Sequence, residues 1–135
     1  MPFVIDASVA LAWCFGDEAS PATQALLATL DRDYAAAPAI WPFEVSNALV
    51  MAARRGRIST HDVDGHLLDL LALPIRIDAP PDSVALGIAV ALARAHRLTI
   101  YDAAYLELAL RLNLAIATTD EELMTAARAE GVQLR

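Results

Sequence analysis

The stretch Pro2-Phe3-Val4-Ile5-Asp6-Ala7-Ser8 decides the fold, because a short apolar, β-branched run stops abruptly on a carboxylate. A buried strand that ends this way aims a charge at whatever lies beyond its tip. In an open parallel sheet, ligands bind in the crevice outside the carboxyl ends of the strands, so Asp6 would stand where chemistry is done. The local reading is that Asp6 or Ser8 caps the following helix by accepting a bond from an orphan backbone N–H. Whether other carboxylates reach the same edge separates the two readings.

Working outward, the chain alternates strand and helix. Val9 to Phe15 reads as a short helix closed by Gly16 in a left-handed cap, and Ser20-Pro21 opens a second helix with a capping residue followed by Pro. Tyr34 to Pro38 is the second strand. A third helix starts near Pro42 and runs to Gly56, with Glu44 and Asn47 three apart on one face. Ser59 caps a fourth helix through Leu73, Pro74 to Asp78 is a strand, and a fifth helix runs from Ser83 to about His96. Leu98-Thr99-Ile100 is read as the next strand, leading to Asp102 and a helix from Ala103 to Leu112 stopped by Asn113. Leu114 to Thr118 is a further strand. A last helix extends to about Ala129, with Thr119 and Glu122 at capping-box spacing, and Val132 to Leu134 can add a final strand.

On this reading three strands end at or within two residues of an aspartate: Asp6, Asp102 and Asp120. Parallel strands joined by right-handed crossovers present their carboxyl ends along one edge, so these acids converge. Two carboxylates about 4 Å apart repel by roughly 4 kcal/mol at an effective dielectric near 20, and a cluster of them calls for protons or cations. Oxygen ligands without His or Cys suit Mg²⁺ or Mn²⁺ rather than zinc.

Composition bounds the rest. The 135 residues form one domain, 57% hydrophobic, yet no apolar run is long enough for a membrane span. The apolar excess points to self-association or partner binding; helices at Val63–Leu73 and Val84–Ala95 are apolar on more than one face, so either can pack across a two-fold axis. No signal-peptide pattern opens the chain and the lone Cys14 allows no internal disulfide, so cytoplasm is the expected compartment. Ten arginines and no lysine face seventeen acids, a formal charge of −7 that looks wrong for a nucleic-acid binder. Setting aside four acids as a cation site reduces it to −3. Arg54, Arg55 and Arg57 form the one local basic patch and suit phosphate or RNA contact.

Four segments together carry a resemblance: Val4-Ile5-Asp6-Ala7-Ser8, Glu44-Val45-Ser46-Asn47-Ala48-Leu49, Tyr101-Asp102-Ala103-Ala104-Tyr105-Leu106-Glu107-Leu108-Ala109, and Ala117-Thr118-Thr119-Asp120. In this order and spacing they resemble the PIN-domain ribonucleases, and more narrowly the VapC toxins of bacterial toxin–antitoxin pairs. The resemblance covers essentially the whole chain. It implies a three-layer α/β/α fold with a central, mainly parallel sheet, a homodimer, Mg²⁺- or Mn²⁺-dependent cleavage of RNA, and inhibition by a VapB-type antitoxin. It places the catalytic, metal-binding acids on Asp6, Glu44, Asp102 and Asp120, and supporting polar groups on Ser8, Asn47 and Thr118.

The chemistry agrees with that expectation, since carboxylate-held metal can supply nucleophile, charge stabilisation and leaving-group help to phosphodiester hydrolysis. No Ser-His-Asp or Cys-His arrangement supports covalent catalysis. No glycine-rich turn follows the first strand, against a dinucleotide site. A receiver domain relies on a lysine this chain lacks, and aspartate-nucleophile phosphatases want a second Asp where Ser8 stands. Two alternatives stay open: a non-catalytic module that docks a partner's basic side chain in the acidic pocket, and a housekeeping PIN nuclease.

Overall fold

Phe3, Val4 and Ile5 are fully buried and form strand β1 (Phe3–Ile5), each side chain withdrawn from water on both faces of the sheet. Burial of this kind stabilises by roughly 1.5–3 kcal/mol per large apolar side chain. The computed structural model describes residues 1–135 and places β1 between β2 (Ala35–Ala37) and β4 (Ala115–Ala117), with β3 (Ile75–Ile77) beyond β2. All pairs are parallel, with Phe3 opposite Ala35 on one side and Ala115 on the other. The Ala-rich β2 is buried throughout, and its small side chains let the covering layers approach closely.

Between the strands run α1 (Ala7–Cys14), α2 (Pro21–Thr29), α3 (Trp41–Arg54), α4 (Thr60–Ala72), α5 (Ser83–His96), α6 (Ile100–Leu112) and α7 (Glu121–Ala129). The strand order β3-β2-β1-β4 means the chain steps outward from β1 to β3 and then returns to the other side of β1. Right-handed crossovers put α1 to α4 on one face and α5 to α7 on the other, in keeping with the packing of α1 on α3 and of α6 on α7 and β1. This is the expected three-layer α/β/α arrangement. The reversal of strand order beside β1 creates a topological switch point, and its crevice opens at the carboxyl ends of β1 and β4. Trp41, Leu106, Leu108, Ile116 and Leu123 fill the core on either side of the sheet. No helix is long and apolar enough to cross a membrane.

Several local expectations are corrected. Leu98-Thr99-Ile100 is not a strand: Arg97 ends α5 in the left-handed conformation, and the extended Thr99 caps α6, its Oγ1 accepting from the Asp102 N–H at 3.1 Å. A hydroxyl cap that satisfies an orphan donor outcompetes a three-residue ladder, so Asp102 lies in the first turn of a helix. Gly16 is not left-handed; Phe15 closes α1 in an extended conformation instead, while Asn113 does stop α6 with φ 54°. The capping box at Thr119 and Glu122 does not form, because Asp120 itself caps α7 through Oδ1 to the Glu122 and Leu123 N–H groups. Residues 132–134 make only one parallel bridge, Leu134 to Ile116.

Candidate active site

Asp6 is the first residue past β1 and the N-cap of α1, so the local and the functional reading fall on the same side chain. Its Oδ1 accepts from the Ala7 N–H at 2.9 Å, while its Oδ2 accepts from Ser8 Oγ at 2.8 Å and Thr118 Oγ1 at 2.7 Å. Each hydroxyl has one proton, and both are spent on the same oxygen. As acceptors, Ser8 Oγ takes the Thr119 N–H and Thr118 Oγ1 takes the Asp120 N–H, each at 3.0 Å. The loop after β4 is thereby tied to the start of α1, with Asp6 as the knot. The backbone N–H of Asp6 also donates to the Ala117 carbonyl at 2.9 Å.

The other acids arrive from three elements. Glu44 stands in the first turn of α3, Asp102 in the first turn of α6, and Asp120 at the start of α7. Burial pushes the Asp6 carboxyl above the usual range, more than its three donors pull it down, and the charge of Asp120 pushes the same way. Burial also raises Glu44, against the Tyr105 hydrogen bond, with the charges of Asp6 and Asp102 adding to the rise. Asp102 is raised by burial and then by Asp6 and Asp120. Each acid therefore feels its neighbours across a partly desolvated crevice.

Their side chains do not form a closed ligand set of three. They are turned toward protein donors, as in Asp6 with Ser8 and Thr118, Glu44 with Tyr105, and Asp120 with its own helix. The donor set nonetheless fits a hard divalent cation: only oxygen is offered, and three of the carboxylates resist ionisation in one another's presence. Burial is the larger cause of that resistance and the neighbouring charges the smaller, and a cation would offset both by favouring the ionised form.

The remaining predicted residues are placed differently. Asn47 is exposed, and its side chain makes no hydrogen bond to the acids. Arg54, Arg55 and Arg57 lie at the far end of α3, and the ten residues from Glu44 to Arg54 span about 15 Å of helix. Arg57 is also committed elsewhere, paired with Asp17 and Glu18 and stacked 4.0 Å over the Phe15 ring. Sequence reasoning assigned no role to Tyr105, which is buried and donates from its hydroxyl to Glu44 Oε1 at 2.7 Å. A signal was present, since Tyr105 is three residues after Asp102 and shares its helical face. Thr99 was missed as well. Cys14 is half-buried against the core, and burial pushes its thiol up to about 11.

Known proteins share the fold that carries these residues. The crystal structure of PAE2754 from Pyrobaculum aerophilum superposes with a TM-score of 0.72 at 24% identity, covering 93% of this chain and 84% of that one. VapBC2 from Rickettsia felis, bound to a DNA fragment from its promoter, contains a chain that superposes with a TM-score of 0.67 at 12% identity, covering 100% and 98%. At these identities the two show a shared fold. No curated protein matches the chain in sequence. The family model described as the PIN domain matches residues 3–129. A family match that spans the whole sheet and every helix leads to one conclusion: the chain belongs to the PIN domain family, whose members are generally nucleases.

Proposed function

We propose that this chain is a metal-dependent endoribonuclease that hydrolyses RNA phosphodiester bonds, and that it acts in the cytoplasm as the toxin of a type II toxin–antitoxin pair neutralised by a VapB-type antitoxin. The observation that carries the reading is Asp6, whose Oδ2 receives two hydroxyl protons while three other acids act on the same crevice. So costly a concentration of negative charge is retained where a cation is to be bound. The fold shared with VapBC2, a pair seen on promoter DNA, supports the toxin role and the antitoxin partner. Exposed apolar residues on α5, Val84, Ile88 and Val90, support self-association as a homodimer.

Asp6 and Asp102 would hold the principal Mg²⁺ or Mn²⁺, with Glu44 and Asp120 completing the shell. When bound, such an ion supplies positive charge to the phosphate and acidifies water for attack. The chain's own groups do the rest. Ser8 and Thr118 fix the Asp6 carboxylate and favour its ionised form, and Tyr105 locks Glu44 by one oxygen. Glu44 Oε2, the oxygen Tyr105 does not hold, is left free to complete the shell directly or through water.

The test is cleavage of a panel of structured and single-stranded RNAs by the purified protein with Mn²⁺, Mg²⁺ or EDTA, beside Asp102→Asn. Cleavage that needs metal and is lost in the variant is expected. Equal cleavage by both proteins would assign the activity to a contaminant. Absence of both cleavage and metal binding would favour the partner-docking module.

A further inference from the structure

Beside the acids lies a second concavity that the reaction as derived above leaves unused. It is a cavity of about 350 Å³ between the start of α3, the loop after β3, α5 and α6, and most of its lining is apolar. Two of its lining residues are exposed aromatics, Phe43 at 75% and Tyr101 at 55%. Each is the residue immediately before one of the acids, Glu44 and Asp102. The cavity is therefore joined to the crevice by single peptide steps of about 3.8 Å between Cα atoms.

One end of the cavity is polar. Glu107, buried on α6, accepts from Arg111 Nε at 2.8 Å and Nη2 at 3.2 Å, and Nη2 also donates to Asp78 Oδ2 at 2.6 Å. Arg111 Nη1 has no protein partner. A guanidinium clamped by two acids thus presents spare donors beside an apolar slot.

We propose that this cavity is a nucleobase pocket, in which a base next to the scissile phosphate of single-stranded RNA stacks on Phe43 or Tyr101 with its polar edge toward Arg111. The assignment rests on the ribonuclease reading above. Charge complementarity favours this occupant: an uncharged ring enters where Asp78, Glu107, Glu44 and Asp102 would repel a second phosphate. Arg54, Arg55 and Arg57 sit at the far end of α3, and base stacking can hold RNA beside the acids, each stacked base contributing substantially without requiring charge. On α5, Val84 and Ile88 line an adjoining concavity that shares Ala85, Glu107 and Arg111 with this one. The cavity wall on that helix is Ala85, Leu86 and Ala89.

The experiment titrates the four nucleoside 5′-monophosphates, with ribose 5-phosphate as control, into the full ¹⁵N-labelled chain with and without Mg²⁺, and follows amide shifts. At least one nucleotide is expected to move resonances of residues 39–43, 85–89 and 100–104, while ribose 5-phosphate does not. Ala104→Leu, which fills the slot, should abolish those shifts. Phe43→Ala or Tyr101→Ala should weaken binding by about fivefold or more, and Leu68→Ala, on the exposed face of α4, should leave it unchanged. Shifts reproduced by ribose 5-phosphate, or none at the cavity, overturn the assignment. So does an Ala104→Leu variant that loses self-association in light scattering while nucleotides have no effect, which would give the cavity to a second copy. A chain that cleaves RNA but fails this test loses only the pocket; one that binds bases here but never cleaves loses only the nuclease reading.

Discussion

The Tyr105 hydroxyl donates to Glu44 Oε1 at 2.7 Å, joining α6 to α3 over the carboxyl edge of the sheet. The bond fixes which oxygen of Glu44 is free and holds together two helices that each bring an acid. In Tyr105→Phe the ring still fills the core, but the Glu44 carboxyl loses its donor. Cleavage should fall about tenfold to a hundredfold, the scale expected of a misplaced catalytic group, with near-UV circular dichroism retained. Unchanged kcat and unchanged metal affinity would show that the bond has no part in positioning.

Ser8 and Thr118 serve one oxygen of Asp6, so their effects should not add. Ser8→Ala and Thr118→Val are each expected to cost about 1–2 kcal/mol in denaturant unfolding, and the double variant should depart from the sum by about 0.5 kcal/mol or more. Both substitutions also weaken the ionised form of Asp6, so metal binding should shift to higher pH. Calorimetric titration of Mn²⁺ at several pH values checks this.

The raised acids set the pH dependence of stability. Asp6, Glu44 and Asp102 hold their protons more tightly folded than unfolded, so the native state binds the excess of protons in the window above the ordinary values of 3.8 and 4.5. Stability due to these groups is therefore complete below that window and is lost as pH rises through it. The depressed acids Asp17, Asp33 and Asp62 act below the ordinary value instead, where stability falls with falling pH. In EDTA the melting temperature should decline from about pH 5 toward pH 7, and saturating Mg²⁺ or Mn²⁺ should flatten that decline.

Asp102→Asn separates folding from chemistry at the same site. Removing one of the mutually repelling charges should leave the metal-free protein as stable as the parent or slightly more so. The gain in melting temperature on adding Mn²⁺ should shrink, and cleavage should disappear. A variant that unfolds in EDTA would contradict the view that its charge is a cost without a cation.

Arg54→Ala and Arg55→Ala should change cleavage of short RNAs by less than about twofold, because about 15 Å of helix separates them from Glu44. Loss of cleavage in either would put the RNA path along α3 and return these arginines to the substrate surface. Rates at two salt concentrations would tell a direct contact from a general field.

The order of strands and helices was readable wherever an apolar run met a breaker or a cap, as at Ile5-Asp6, Ser20-Pro21 and Ser59. It failed where two local chemistries competed. Leu98-Thr99-Ile100 has strand-like residues, but Thr99 has an orphan N–H three residues on to satisfy, and the cap prevails. Asp102 thus comes to the crevice from a helix start and not, as expected, from a strand end. At Thr119 the expected cap failed because its N–H was already engaged by Ser8, 111 residues away. Such long-range bonds leave no trace in local spacing. Tyr105 was hidden for another reason: an aromatic among Leu and Ala on a helix reads as core, which it is, and only its hydroxyl reaches the site.

The knot at Asp6 also governs when the crevice can exist. Asp6 lies near the start of the chain, and Thr118, which completes its hydrogen bonds, follows 112 residues later. Strand β4 flanks β1 only after nearly all the intervening chain has been made. During synthesis the early elements can gather around β1, but the acid cluster stays open on one side until residues 118–120 leave the ribosome. On the nuclease reading proposed above, a nascent chain would lack a complete site beside the RNA it is being read from, and the site closes as a late event of folding.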